Sequence, residues 1–571
     1  MIRKMLAPVV ALGLTTLLVS ACGREDVTDD ATDPVELLEH VPADTPYLLA
    51  NLQRLPSETE ESLWRMMEAY SDSFDHSLKT LQEAAAEEDE AGWIRAVAEE
   101  FEGRFNREGM REIGLDINTH YAAYGLGPVP VIRAGLRDSE AFVQALERIE
   151  DRAEGSLPRR THAELEYFHF ELDEIVAVMA TVEDQLIISL MPAGMEDGLI
   201  GSILGTELPD DAFTATRLAE FNRDHDYLPY GSGFFDIQGM VSRLLSDPGG
   251  EMDQFRSAVG LDLDEISAAC SAEYEALAGF MPRMVTGYKQ MDGASLTSHL
   301  RLVVDEAFAG DLAQIAEAPV DIAESDDGVI NAGMALDLVA LRDFLRSTLD
   351  RLAENPPECE TFAYIRENLD EWRTTVNRPI PPIVTNIHGF RIQLDELDME
   401  DGKVDQLRGV FALHMRNPQL LFGMAEMFSP ELAALEVRPG GDPVALPPGI
   451  IPAEEAEGLD LYIAMSDESI GLAFSEADAG RLKDYLARGK GEGGTLFGLG
   501  YDTKAYAELM QKYMTPLMED FENNDELAEH RDLMEEQMQS SMDMAEAIRR
   551  TWMVIRLTEQ GVEMEQKLYL D

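Results

Sequence analysis

Tyr47-Leu-Leu-Ala-Asn-Leu52 is an apolar stretch that follows the turn-forming Val41-Pro-Ala-Asp-Thr-Pro46 and leads to a helix beginning near Ser57. The second half of the chain repeats this series. There, Ile330-Asn-Ala-Gly-Met-Ala-Leu336 runs into a predicted helix over 339–352. Each apolar run has strand length and ends at helix-forming sequence. The pair therefore indicates that the chain contains one unit twice.

Four further segments recur in the same order, although sequence identity between the halves is slight. The alternative explanation is that any chain of mixed strands and helices offers segments that can be aligned. Because order and spacing agree along the whole chain, we interpret the pattern as a tandem duplication. The matching segments are Val131–Arg137 with Val410–Arg416, Ala177–Leu190 with Tyr462–Phe474, Gly231–Asp236 with Leu496–Asp502, and Met284–Val304 with Trp552–Leu570.

The predicted fold class is α+β, with two tandem, similar lobes of antiparallel hairpins packed with long amphipathic helices. Asp138 and Asn417 are predicted helix N-caps, because their side-chain oxygens accept a free backbone N–H. The last helix is expected to break near Pro516 and at Asn523-Asn524. The predicted helices cover 57–82, 90–108, 138–153, 339–353 and 503–548. The predicted domains are a signal peptide (1–21), an acidic tether (22–35) and two lobes (36–320 and 321–571).

The N-terminus is built like an export signal. Arg3 and Lys4 precede the mostly apolar Met5–Val19, and Leu18-Val-Ser-Ala-Cys22 closes the segment. This ending resembles the lipobox of bacterial lipoproteins, which implies lipidation of Cys22 and cleavage before it. Gly23, in place of aspartate, implies release to the outer membrane. An ordinary signal peptide with a chance cysteine is the alternative, and an uncleaved anchor is disfavoured because the apolar run is short.

The charge of the chain is extreme. It contains 45 Lys+Arg against 110 Asp+Glu, a formal net charge of -65 at pH 7. Such a field repels nucleic acid and anionic lipid headgroups, which excludes both as partners. The acids are spread along the sequence, so we interpret them as adaptation of a solvated surface to salt.

Cys270 and Cys359 remain as an even pair once Cys22 is assigned to lipid. In an oxidising compartment two such cysteines pair, and neither has a second ligand at a zinc-like spacing. Two buried free thiols are the alternative. A disulfide would close an 89-residue loop, from position 270 to position 359, and would clip the two predicted lobes together.

No catalytic motif is present, so the sequence predicts no catalytic residue, no cofactor site and no metal site. There is no Gly-x-Ser-x-Gly, no Ser-x-x-Lys and no His-Glu-x-x-His. Asp224-His225-Asp226 is interpreted as a surface turn, and Gly489-Lys-Gly-Glu-Gly-Gly494 as a helix end followed by a turn. The acids over 395–401 are assigned to a hairpin turn. The methionine stripes Met510, Met514, Met518 and Met534, Met538, Met542 are interpreted as core, with an apolar groove or a copper site as alternatives.

Several segments resemble a family of uncharacterised bacterial envelope proteins. They are Val41–Pro46, Tyr124-Gly-Leu-Gly-Pro-Val129 with Arg133, Pro282-Arg283 with Gly287-Tyr288, and Asn417-Pro418 leading to Leu446-Pro-Pro448. The resemblance implies an envelope location and supplies no catalytic residue.

The sequence predicts a lipid-anchored, periplasm-facing envelope protein with a non-catalytic binding or assembly role. Its expected partners are the membrane, through the lipid on Cys22, and either another envelope protein or an apolar or cationic ligand. An envelope hydrolase built from scattered carboxylates and a histidine is one alternative, and a passive structural lipoprotein is another. A cleft with several perturbed titratable groups would favour the enzyme, and an apolar groove would favour the binder.

Overall fold

The structure is a computed structural model. It describes residues 34–570, apart from 87–91, 154–156, 173, 247–250, 259, 261–265, 318–319, 323, 326, 401–402, 448–449, 451–459, 489–490, 492, 523–537 and 540–541. The chain divides into two compact units. Unit 1 is Met1–Leu300 with Leu570–Asp571, and unit 2 is Arg301–Tyr569.

Unit 1 contains an antiparallel sheet whose first strand lies in the middle. The strand order is β9-β8-β1-β2-β3-β7-β6-β5-β4, and β10 pairs with β9. The strands are β1 (Tyr47–Asn51), β2 (Tyr121–Leu126), β3 (Val129–Gly135), β4 (Arg159–His162), β5 (Leu165–Leu172), β6 (Ile175–Val182), β7 (Gln185–Pro192), β8 (Ser232–Asp236), β9 (Arg283–Met291) and β10 (Ser295–Val303).

Helices cover both faces of the unit 1 sheet. Successive side chains of a strand point to opposite faces, so Ile187 of β7 joins one core while Leu186 joins another. The first core includes Leu199 and Ile203 of helix α7, and the second includes Phe142 of α6. The helices are α1 (Pro34–Glu39), α2 (Ser57–Ala69), α3 (Ser71–Ala86), α4 (Gly92–Phe101), α5 (Arg107–Glu112), α6 (Ser139–Arg152), α7 (Glu196–Leu204), α8 (Ala215–His225), α9 (Ile237–Ser246), α10 (Glu251–Ala258) and α11 (Ala268–Phe280).

Unit 2 also contains an antiparallel sheet with its first strand in the middle. The order is β18-β17-β11-β12-β13-β16-β15-β14. The strands are β11 (Ile330–Ala335), β12 (Ile387–Glu400), β13 (Lys403–Met415), β14 (Val444–Ala445), β15 (Tyr462–Met465), β16 (Ser469–Ala473), β17 (Thr495–Asp502), β18 (Ile548–Thr558) and β19 (Gly561–Leu570).

Helix α17 packs on the unit 2 sheet and positions the site described below. Its Leu482 and Leu486 join Val410 and Ala412 of β13 in one buried cluster. Gly471 of β16 keeps this contact close, because a Cβ there would lie 2.7 Å from Leu486. The helices are α12 (Glu306–Gln314), α13 (Leu338–Glu354), a 3-10 turn (Glu360–Phe362), α14 (Ala363–Val376), α15 (Pro418–Phe428), α16 (Pro430–Ala433), α17 (Glu476–Ala487) and α18 (Thr503–Glu522).

The α+β class and the antiparallel pairing agree with the sequence prediction. The β6–β7 and β15–β16 hairpins form as predicted, with their turns at 183–184 and 466–468. Both N-caps are confirmed, because Asp138 accepts from the N–H of Ala141 and Asn417 accepts from that of Leu420.

Two helix predictions were wrong in extent. The predicted helix 57–82 is interrupted at Tyr70, which ends α2 before α3 begins. The predicted helix 90–108 ends at Phe101, two residues before Gly103, whose φ is positive at 71°. The predicted break near Pro516 does not occur, since α18 continues through it to Glu522. A proline removes one backbone hydrogen bond, and the helical bonds on either side carry the helix past it. Asn523-Asn524 lies outside the described residues.

Candidate ligand-binding cavity

Arg391 is a buried arginine in the sheet of unit 2. It stands on β12, is 4 % exposed, and donates from Nη2 to the carbonyl oxygen of Tyr485 at 2.9 Å. Its Nε donates to Nε2 of His414 at 3.0 Å, and the carboxylate of Asp321 lies 4.0 Å from Nη1. Nη1 also donates to the carbonyl oxygen of Asp321 at 3.4 Å, so each of the three guanidinium nitrogens makes a hydrogen bond and a counter-charge lies beside Nη1. The guanidinium also meets the last turn of α17, where the helix dipole favours a positive charge.

Tyr485 has a buried hydroxyl without a protein partner. The residue is 6 % exposed, and among the described residues its Oη has no hydrogen-bond partner. Two guanidiniums lie over the ring, with Cζ of Arg391 4.7 Å and Cζ of Arg488 5.5 Å from its centroid. Burial raises the pKa of Tyr485 to about 12, although both arginines oppose the shift. The hydroxyl therefore stays protonated at neutral pH and acts as a donor.

A cavity of about 100 Å³ adjoins this tyrosine. Trp552 and Ile322 supply apolar wall. Gly498 and Gly500 of β17 make room for them: a Cβ on Gly500 would lie 2.5 Å from the indole, and one on Gly498 would lie 2.5 Å from Ile322. The polar wall is formed by Asp321, Glu324, Asn331, Arg391, Tyr485 and Arg488. The cavity thus combines four charged side chains with an apolar wall formed by Ile322 and Trp552.

The charged side chains around the cavity are paired. Glu324 lies 3.2 Å from Nζ of Lys567, and Arg488 lies 3.6 Å from the carboxylate of Asp327. The side chain of Arg488 is nevertheless 45 % exposed, and its ion pair with Asp327 involves one nitrogen. The other N–H groups of its guanidinium can therefore donate to a ligand.

Unit 1 holds a buried arginine of its own, Arg133, at 1 % exposure. Its Nη2 donates to the carbonyl oxygen of Ile203 at 2.7 Å, near the end of α7, and its Nη1 donates to Gln185 at 3.1 Å. Its Nε donates to the hydroxyl of Tyr124 at 3.3 Å. In this unit the tyrosine hydroxyl is engaged by the arginine itself. Burial and the nearby Arg133 lower the pKa of His40 to about 4.

His414 makes the hydrogen bonds around Arg391 in unit 2 depend on pH. Burial, with the neighbouring Arg391 and His388, lowers the pKa of His414 to about 4. Protonation would place an N–H against the Nε–H of Arg391. The unfolded chain takes up this proton near pH 6.5, so stability is complete above pH 6.5 and is lost as pH falls through about 4.

We therefore expect stability to fall by about 3 kcal/mol from this histidine between pH 6.5 and 4, and His414→Gln to remove that part of the fall. Urea unfolding at pH 7.5, 5.5 and 4.0 measures it. His40 contributes a similar fall in the parent and in the variant. Exposed His76→Gln is the matched control and should keep the parent profile. Equal pH dependence in parent and His414→Gln would contradict the coupling.

The predicted site residues lie as follows. Cys22 is outside the described residues. Cys270, in the first turn of α11, and Cys359, at the start of the 3-10 turn, are both disulfide-bonded, as the sequence predicted. Asp224 and His225 are the last residues of α8, and Asp226 caps the helix in the left-handed region, so the predicted surface turn is a helix end before Tyr227. Gly494 lies between α17 and β17, which agrees with the order of helix and strand predicted around the glycine run.

The remaining candidates form no site. Asp395 pairs with Arg481 and Asp398 with Lys512, so these acids of the β12–β13 hairpin have counter-charges. No group of side chains in the described part of the chain could hold a metal ion, and no helix there is long and apolar enough to cross a membrane. Met510 and Met542 are partly buried. The side chains of Met514, Met518 and Met534 lie outside what the structure describes.

No known protein family, curated protein or solved structure matches this chain. The sequence analysis did not identify Arg391, Tyr485 or Trp552. The available signal was Gly498-Leu-Gly500, because glycines inside a strand often mark a close approach of another group.

Proposed function

We propose that this protein is a lipid-anchored, periplasm-facing binding protein made of two related units, and that unit 2 binds a small polar ligand in the cavity beside Tyr485. The observation that carries the proposal is a cavity of about 100 Å³ lined by Tyr485, whose buried hydroxyl has no hydrogen-bond partner among the described residues. Leu18–Cys22 supports the anchor and the location, through its resemblance to a lipobox.

The strand registers support a common origin of the two units. One row across the unit 1 sheet reads Ile187, Arg133, Ala122, Ala50 and Ser232. The row at the same place in the unit 2 strand order reads Gly471, Ala412, Arg391, Gly333 and Gly498. The helices α7 and α17, which follow β7 and β16, occupy the same place in the element order of their units.

The buried arginine has changed strands between the two rows. Arg133 stands on the third strand and faces Ala122 on the second, whereas Arg391 stands on the second strand of its unit and faces Ala412 on the third. Each arginine still reaches a carbonyl near the end of the helix that follows. In unit 1 the arginine donates to the tyrosine hydroxyl, whereas the glycines of the unit 2 row make room for Ile322 and Trp552, which line the cavity.

A buried hydroxyl without a partner costs about 1–3 kcal/mol, and an acceptor on a ligand removes that cost. A cavity of about 100 Å³ has room for roughly three waters or one ligand of about six non-hydrogen atoms. At no more than about 1.5 kcal/mol per atom, or about 9 kcal/mol in total, such a ligand binds with a Kd no tighter than a few tenths of a micromolar.

Binding explains this site better than catalysis. Tyr485, with its raised pKa, is a poor base, and Arg391 is engaged on its three sides. General acid–base chemistry needs a group whose pKa lies near the working pH.

Tyr485→Phe is expected to weaken ligand binding about 10-fold or more, because it removes one hydrogen-bond donor and leaves the packing intact. The measurement is calorimetric titration of the mature protein with glycine, acetate and methylammonium, each to high millimolar concentration. Exposed Tyr364→Phe is the matched control and should bind as the parent does. If none of the three compounds binds, or if the compound that binds is indifferent to Tyr485→Phe, the proposed function is wrong.

A further inference from the structure

The charges of the described residues that line the unit 2 cavity add up to zero. Arg391 and Arg488 carry two positive charges, and Asp321 and Glu324 carry two negative charges. A ligand with a net charge would enter a balanced, partly enclosed wall and lose its hydration without a matching counter-charge. A ligand that carries both signs can pair with both halves of the wall. Charge balance therefore favours a zwitterion over a simple anion or cation.

The positive half of the wall fits a carboxylate. Tyr485 presents a protonated Oη that lacks a hydrogen-bond acceptor among the described residues. Arg488 lies beside the same ring and has a half-exposed side chain with free donor capacity. A hydroxyl and a guanidinium together make charge-assisted hydrogen bonds to one carboxylate.

The negative half of the wall fits an ammonium group. The carboxylate of Asp321 lies 4.0 Å from Nη1 of Arg391, which donates to the carbonyl oxygen of Asp321 instead, and the Asp321 side chain is 33 % exposed. Its oxygens can therefore accept from a ligand. The Trp552 ring, fixed on Gly500, adds a face that attracts a cation.

The small volume limits the spacing of the two charges on the ligand. About 100 Å³ holds roughly three waters, so the ammonium and the carboxylate must be separated by one or two carbons. We propose that the unit 2 cavity binds a small α-amino-acid-like zwitterion, with its carboxylate toward Tyr485 and Arg488 and its ammonium toward Asp321. This inference rests on the proposed function and names its ligand class.

The test compares glycine with acetate and methylammonium, which each carry one of its two charges. Calorimetry on the mature protein is expected to show glycine binding at least 10-fold more tightly than either fragment. Asp321→Asn should weaken glycine at least 10-fold and should not weaken acetate, because it removes a negative charge from the wall. Glu324→Gln is the second variant, in case Asp321→Asn lowers the melting temperature, and it should also weaken glycine.

The outcomes separate the two proposals. Tighter binding of acetate than of glycine, with loss in Tyr485→Phe, would overturn the zwitterion and leave the small-ligand function standing. Glycine binding that neither acidic variant weakens would also overturn the zwitterion. If glycine, acetate and methylammonium all fail to bind, both the small-ligand function and the zwitterion proposal are wrong.

Discussion

Replacing both Cys270 and Cys359 with alanine is expected to lower the free energy of unfolding by about 4–5 kcal/mol. A disulfide between these two cysteines would close a loop of 89 residues, from position 270 to position 359, and would act mainly by restricting the unfolded chain. Urea unfolding of the oxidised parent and of the double variant measures the difference.

Reduction provides the control for this prediction. The parent treated with reductant should unfold like the double variant, since both lack the covalent loop. Cys359 is buried, so single Cys359→Ala also reports the cost of the lost side chain, whereas single Cys270→Ala reports mainly the lost bond. Coinciding curves for the oxidised parent and the double variant would show that the bond contributes no stability.

Cys22→Ser is expected to move the protein from the membrane fraction to the soluble periplasm, or to leave the signal uncleaved. Three acyl chains bind a membrane far more firmly than the single chain that gives marginal, reversible attachment. Fractionation after export, with mass spectrometry of the N-terminal peptide, measures both outcomes. Cys270→Ala keeps Cys22 and should remain at the membrane. Equal membrane partitioning of Cys22→Ser and the parent would exclude lipid anchoring through this residue.

The sequence predicted strands and hairpins well because their signals are local. Alternating apolar residues mark β6, β7, β15 and β16, and short acidic turns join them. The long helices were less predictable. The end of α4 just before Gly103 depends on the left-handed φ of that glycine. Helix α18 continues through Pro516 because of its neighbouring backbone hydrogen bonds, which helix propensities do not predict.

The cavity could not be predicted from local signals. Arg391 and Tyr485 are 94 residues apart and meet because of the β12–β13 register and the packing of α17 on that sheet. A slip of one residue in β12 would turn Arg391 to the other face. A lone arginine in an apolar strand gives no indication of its partner, so its role becomes visible only in the folded chain.

High-resolution crystal structures of the mature protein, grown with glycine and separately with acetate, show whether the unit 2 cavity holds a ligand. We expect a non-water molecule in the cavity, with an oxygen about 2.7 Å from the Tyr485 hydroxyl. A cavity that holds only water in both crystals, with the Tyr485 hydroxyl bonded to a protein side chain, would contradict this expectation.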